Sequence, residues 1–459
     1  MHFRRGPRAL AFIGGSHFPH IPGAKLSLMA TATTTVRSQL AHLYRRAGFG
    51  ATPAELDAAA GQGYAATVDR LLEPDAPDPA ADAIPVPTFT AAIGITGTTA
   101  ATRQALNRQL RQEDLALASW WLQRMVATQN PLREKLTLIW HGHFATAIQK
   151  VRLPGLMYRQ NQLFRTEGGG NFEAFAQAVA KDPAMLLWLD SNTNRAGHAN
   201  ENFARELMEL FTLGIGNYTE TDVKEGARCF TGWTYDRQAD GFVFRPRQHD
   251  SGVKQFLGVA GNLGGEDVIR LVAHAPASAA WITSRLFSHL AYPVAPTDPV
   301  VRELAGSYAK DLDITNLLRA IFLHPAFVSP TARQGLVKQP VEYVVGTIRA
   351  FGGSAANPAL LTNLSQLGQV PFNPPNVGGW PQNSYWLTTA TELARLNFAA
   401  AVGAVAARTK LDGIDDPDAL ADRLSIDGWS DHSRQVLRTA TTPQQLVTLA
   451  LTAPEYVLN

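Results

Sequence analysis

From Val36 onward, apolar residues recur at three- and four-residue spacings with few interruptions, which is the period of amphipathic helices. The spacing predicts helices over 36–46, 53–73, 103–129, 131–149, 172–187, 200–213, 219–233, 264–292, 297–310, 313–324, 338–352, 357–367 and 388–408, with pieces in 433–457. Local start signals agree with it. Thr52-Pro53-Ala54-Glu55 supplies a capping hydroxyl, a proline at the first helical position and a glutamate at the third. Pro131 opens its segment in the same way, and Thr219 with Asp222 resembles a capping box built with the shorter acid. One stretch alternates instead. Trp233-Thr234-Tyr235 and Phe242-Val243-Phe244 flank Ala239-Asp240-Gly241, the pattern of a β-hairpin. With no strand–helix–strand alternation and no fixed-period repeat, the expected fold is mainly α: a multi-helix globular domain with a small β-hairpin insertion.

The domain expected from this pattern runs over 36–459, broken by a loop at about 74–101 that is rich in Pro, Ala and Thr. Residues 1–35 read as an extension, either disordered or the product of a mis-called start. Arg4, Arg5 and Arg8 precede the apolar run 9–13, as in an export signal, but Gly14-Gly15 ends that run short of the usual length. A start at Met29 is the simpler reading. No stretch approaches the length of apolar sequence that spans a membrane. Lysine and arginine number 41 against 39 acids, which argues against a nucleic-acid partner. The single cysteine, Cys229, excludes an internal disulfide, reads as a small buried apolar side chain, and suits the cytoplasm while leaving export open.

Three segments could carry chemistry. In Asn200 to Phe211, helical geometry puts Asn202, Glu206 and Glu209 on one stripe with Arg205 at its edge, beside Phe203, Leu207, Leu210 and Phe211. Two carboxylates one turn apart can share a proton, hold a cation or act as an acid/base pair; equally, Arg205 can simply neutralise them on the surface. The second segment contains His141-Gly142-His143. Residues two apart lie about 200° around a helix, so these histidines chelate one ion only if the helix ends or kinks at Gly142. The third is His249-Asp250, just after the hairpin.

Two further segments are candidate binding elements. Phe372 to Pro381 is a Pro- and Gly-rich turn holding Asn376 and Trp380, readable as a rigid platform for sugar-like rings or as a hydrophobic plug. Arg45 and Arg46 beside Gly48-Phe49-Gly50 suit a carboxylate or phosphate, or structural acids. No phosphate-binding loop, nucleophile elbow, Cys-x-x-Cys or zinc-protease helix occurs.

Together the stretches His42–Gly50, Asn130–Thr146, Asn200–Gly214, Tyr218–Trp233, His249–Gly258, Lys338–Tyr343 and Pro374–Trp386 resemble the bacterial domain-of-unknown-function family 1800, in the family's order. The resemblance carries no activity with it. It implies a partner protein, because genes of that family often lie beside genes for proteins related to sulfatases and alkaline phosphatases.

These readings combine into a hydrolase-like enzyme acting on a polar, carbohydrate-like substrate. Glu206, Glu209, His143, His249 and Asp250 would carry the chemistry. Asn202, Arg205, Trp233, Asn376, Trp380, Arg45 and Arg46 would bind substrate. The enzyme would work with or without a divalent metal on His141, His143, Glu206 and His249. The alternative is a non-catalytic assembly module in which the same residues form a buried polar network.

Overall fold

The computed structural model describes residues 35–73, 76–90 and 99–459. The expectations for the amino-terminal extension, and for the part of the 74–101 loop at 74–75 and 91–98, fall outside those residues. Among the described residues the fold is mainly α, with two small antiparallel hairpins. Both expected capping boxes form, at Thr52 with Glu55 and at Thr219 with Asp222.

Several expected helices are shorter, and each break has a local cause. The 53–73 segment divides at Gly63, whose φ of 90° lies in the left-handed region. Pro183 and Pro276 open new helices, Pro183–Trp188 and Pro276–Leu290, because a proline lacks the N–H that would continue the preceding one. The helices Pro154–Glu167, Pro330–Arg333 and Pro417–Arg423 were not expected, and the first is the longest. The inward face of Pro154–Glu167 carries Gln160 and Asn161 between Met157 and Phe164, so the apolar period is broken although the face is buried.

The expected hairpin pairs Trp233–Asp236 with Gly241–Phe244, Trp233 opposite Phe244. A second hairpin, Lys254–Phe256 with Val259–Gly261, turns through Leu257 and Gly258, both at positive φ. Its three-residue strands are too short to show alternation. Within the expected loop, Pro79–Asp82 is helical and tied down: Arg124 bonds the Ala81 carbonyl at 3.0 Å and Asp82 at 2.9 Å.

Two apolar cores form. One gathers the first helices with residues 203–332; the other gathers residues 117–125 with the carboxy-terminal helices. The helix Pro131–His143 runs between them, sending Leu132, Leu136, Ile139 and Trp140 into the first and Leu138 into the second. It is buried nearly all round, yet it carries charge. Glu134 is fully buried and accepts from both Nε and Nη2 of Arg165 at 2.8 and 2.9 Å, from Trp121 Nε1 at 2.8 Å and from Arg124 Nε at 3.2 Å. Burial alone would raise its carboxyl; the two guanidinium groups outweigh that and hold it below the usual range.

Removing one partner of a buried ion pair leaves uncompensated charge, at a cost of about 3–5 kcal/mol. Glu134→Ala should therefore lower the unfolding free energy by about that much in urea titration, because it strands the buried Arg165 side chain and leaves Arg124 with Asp82 alone as counter-ion. A loss below about 1 kcal/mol would show that the pair contributes little.

Candidate functional site

The carboxylate segment does not form one regular helix. Asn202–Glu206 is α-helical, and Leu207–Thr212 widens into a π-turn. Leu213 and Gly214 both donate backbone N–H groups to the Met208 carbonyl, at 2.9 and 3.0 Å. Along the wider turn Met208 is fully buried, while Leu210, expected beside the polar stripe with Phe203, Leu207 and Phe211, is half-buried. Isolated π-turns inside helices frequently mark functional sites.

Glu206 and Glu209 stay on one side of this turn, both half-buried. Glu209 accepts from the Tyr218 hydroxyl at 2.8 Å. Burial, and then the neighbouring Glu209, push the Glu206 carboxyl up to about 6. Arg205 turns to Glu201 at 3.0 Å and Glu220 at 2.7 Å. Among the described residues no cation lies within ion-pair distance of Glu206 or Glu209, so Arg205 does not pair with its two neighbours. Asn202 is exposed; its backbone N–H bonds the Asn200 side chain at 3.0 Å, which starts the helix.

The histidines sit elsewhere. The helix continues through Gly142 to His143, so the kink that chelation required is missing and the two rings face opposite cores. His141 Nε2 accepts the Phe372 backbone N–H at 2.9 Å, amid Trp121, Phe372 and Trp380. His143 Nε2 bonds the Phe211 carbonyl at 2.9 Å. Both are neutral: burial lowers each to about 3, and Arg285 adds to the effect at His143. His143 thus reaches the π-turn through its backbone, and no hydrogen bond joins it to either carboxylate.

His249 bonds the Thr231 carbonyl at 2.9 Å, with Lys254 Nζ 3.5 Å from its other nitrogen. Asp250 is committed to Arg228 at 2.8 Å; that bond, then the Gly252 N–H, hold its carboxyl down at about 2. Among the described residues no three His, Cys, Asp or Glu side chains gather as a metal would need, and the expected set His141, His143, Glu206 and His249 is dispersed.

The binding residues divide similarly. Trp233 is a core residue, edge-on to Phe230 and beneath Lys181, rather than a pocket wall. Asn376 is exposed and closes its own turn by accepting the Gly378 N–H at 2.8 Å. Trp380 and Trp386 are buried, so the Pro/Gly turn acts as a plug over His141 and not as an aromatic platform. Gly379 explains its seating: at φ 80°, an added Cβ would stand 2.1 Å from the Gly142 carbonyl oxygen. The two arginines diverge. Arg46 is spent on the carbonyls of Ala332 and Asn459, whereas Arg45 bonds the Ser425 carbonyl and lines a cavity of about 480 Å³.

That cavity also takes Lys338, Arg349 and Arg423, residues to which the sequence reading gave no chemistry. Lys338 opens the quoted Lys338–Tyr343 stretch, so the signal was present but unassigned. Arg285 was also missed. It is largely buried among Trp281 and His143, with Nε unbonded, and no periodicity distinguishes it from a surface arginine.

A family model described as "Protein of unknown function (DUF1800)" matches residues 42–458, and the chain belongs to that family. No curated protein and no solved structure matches it. Among the described residues no helix is long and apolar enough to cross a membrane.

Neutral buried histidines have a pH signature. Unfolded, His143 titrates near 6.5; folded, it is lowered to about 3. Between those values the unfolded chain binds a proton that the folded chain refuses, so stability is full above about pH 6.5 and falls as pH drops. The slope is up to about 1.4 kcal/mol per pH unit for each such histidine. His143→Gln, which can still donate to the Phe211 carbonyl, should flatten the acid limb of stability between about pH 6 and 4. An unchanged slope would mean that His143 protonates in the folded state.

Proposed function

We propose that the chain is a hydrolase-like enzyme whose acid/base pair is Glu206 and Glu209, acting on a small polar substrate in the cytoplasm. One observation carries the reading: a half-buried carboxylate, held at about 6 beside a second carboxylate, with no cation paired to either. Two like charges brought together in a half-buried place without a counter-ion disfavour each other's ionisation, an arrangement that recurs at acid/base sites. An acid of this strength is half protonated near pH 6 and can give that proton up to a leaving group.

In the proposed step Glu206 donates its proton to the leaving oxygen. Glu209, oriented by Tyr218, accepts a proton from the attacking water. Water is thereby added across the broken bond, and proton exchange with solvent resets the pair. The near-balanced overall charge, 41 basic against 39 acidic residues, supports a small substrate over a nucleic acid. The lone Cys229, buried with its thiol pushed up to about 12, supports a reducing compartment.

A panel of chromogenic glycosides, esters and phosphodiesters tests the reading. The wild type should turn over at least one member with a pH limb near 6, and Glu206→Gln should lose about a hundredfold or more while keeping the wild-type Tm. Activity that survives Glu206→Gln unchanged would remove the assignment.

A second reading is a non-catalytic module assembling with a sulfatase- or alkaline-phosphatase-like partner. It is favoured by the commitment of His141, His143 and Asp250 to structural bonds. On that reading Glu206→Gln and Glu209→Gln should change partner binding or stability, by about 1–3 kcal/mol, and no turnover should be found.

A further inference from the structure

Away from the π-turn, the cavity beside the Phe49-Gly50 turn concentrates positive charge. Four cations line it, Arg45, Lys338, Arg349 and Arg423, against a single carboxylate, Glu55. Glu55 is partly exposed and stands 3.8 Å from Arg349, too long for a strong bond. Arg423 spends its guanidinium on the carbonyls of Ala350 and Asp412, at 3.1 and 2.8 Å, and Arg45 bonds only the Ser425 carbonyl. Lys338 is buried, its ammonium 3.4 Å from the centre of the Tyr456 ring. Among the described residues neither Arg45 nor Lys338 has a carboxylate within ion-pair distance.

More positive charge lies behind this wall. Arg46 and Lys135 are fully enclosed, and the one nearby acid, Glu342, is already paired with Lys135. Glu342 is thus taken up by Lys135, while Arg46 bonds main-chain oxygens of Ala332 and Asn459 and Arg45 feels Asp427 only at a distance. Burial, with the neighbouring arginines, depresses the Lys338 ammonium well below its usual range, and burial brings Arg46 down to about 9. Burial is the main cause of both shifts, and the neighbouring cations add to it.

Phe49, Ile84 and Val126 give the wall an apolar part, beside polar side chains such as Gln123, Gln129 and Ser354. At about 480 Å³ the space is within the range of small-molecule sites. Gly346 keeps it narrow at one side, since an added Cβ would meet the Phe49 carbonyl oxygen at 2.9 Å.

We propose that this cavity binds a small organic phosphate, with its dianionic group between Arg45 and Lys338, Arg423 and Arg349 at the rim, and its apolar body against Phe49 and Val126. The two motif-bearing segments around Arg45 and Lys338, 293 positions apart, both line this cavity. Arginine and lysine together supply both the bidentate donor and the point charge that phosphates favour. The site is separate from Glu206 and does not depend on the hydrolase reading.

Phenyl phosphate, titrated into the full chain against sodium chloride of equal ionic strength, tests it by thermal shift and calorimetry. Phenyl phosphate should raise Tm saturably where chloride does not. Lys338→Met and, as a milder variant at a partly exposed position, Arg423→Gln should each weaken binding by about tenfold. Glu206→Gln should bind as the wild type does. The proposal fails if chloride matches phenyl phosphate, or if both cavity variants bind unchanged. It fails too if Glu206→Gln weakens binding as much as they do, because the anion would then sit at the π-turn.

Discussion

The fold depends on burying one charged helix. Pro131–His143 passes between the two apolar cores with little of its surface in water, although it carries Glu134, Lys135, His141 and His143. A buried polar group left without a partner costs as much as several good contacts return. Every one of these side chains is therefore answered, and each answer comes from a different part of the chain. Glu134 binds Arg124, Arg165 and Trp121; Lys135 binds Glu342; His141 takes the Phe372 N–H; His143 takes the Phe211 carbonyl; Trp140 Nε1 reaches the Gly168 carbonyl at 2.8 Å. The helix is thus a hub of directional bonds inside a non-directional core, which sets the register of segments that hydrophobic burial alone would let slide.

Function follows from what that hub consumes and what it leaves over. The histidines are used up as neutral hydrogen-bonding groups, and so lie outside the acid/base reading. The bond from His143 to Phe211 anchors the π-turn, and the π-turn in turn presents Glu206 and Glu209 on its free side. At the other end of the hub, Lys135 takes up Glu342, the acid that would otherwise balance Lys338. One cluster is left with excess negative charge and another with excess positive charge, and both are set by the same buried helix.

Elements whose signal is local were legible in the sequence. The capping boxes at Thr52 and Thr219 and the hairpin around Asp240 need only neighbouring residues, and they form as expected. So do most helix positions, since the apolar period that predicts them is the pattern that packs. The helix Pro154–Glu167 escaped because Gln160 is satisfied within the core by Asp182 at 2.7 Å, a partner 22 residues away that no window contains. The π-turn escaped because an extra residue in one turn leaves the apolar count unchanged.

By itself, the sequence determined a mainly α domain, its capping and its family, because helix propensity, turn chemistry and periodicity act over a few residues. It also placed Glu206 and Glu209 on a common face. Only the tertiary structure decided which polar groups were spent and which were spare. Arg205 found Glu201 and Glu220 instead of its neighbouring acids, His141 and His143 were turned to opposite cores, and Arg45 met Lys338 across a cavity. The physical reason is that pairing energy depends on distance and burial in space, and those are set by contacts between segments far apart in the chain.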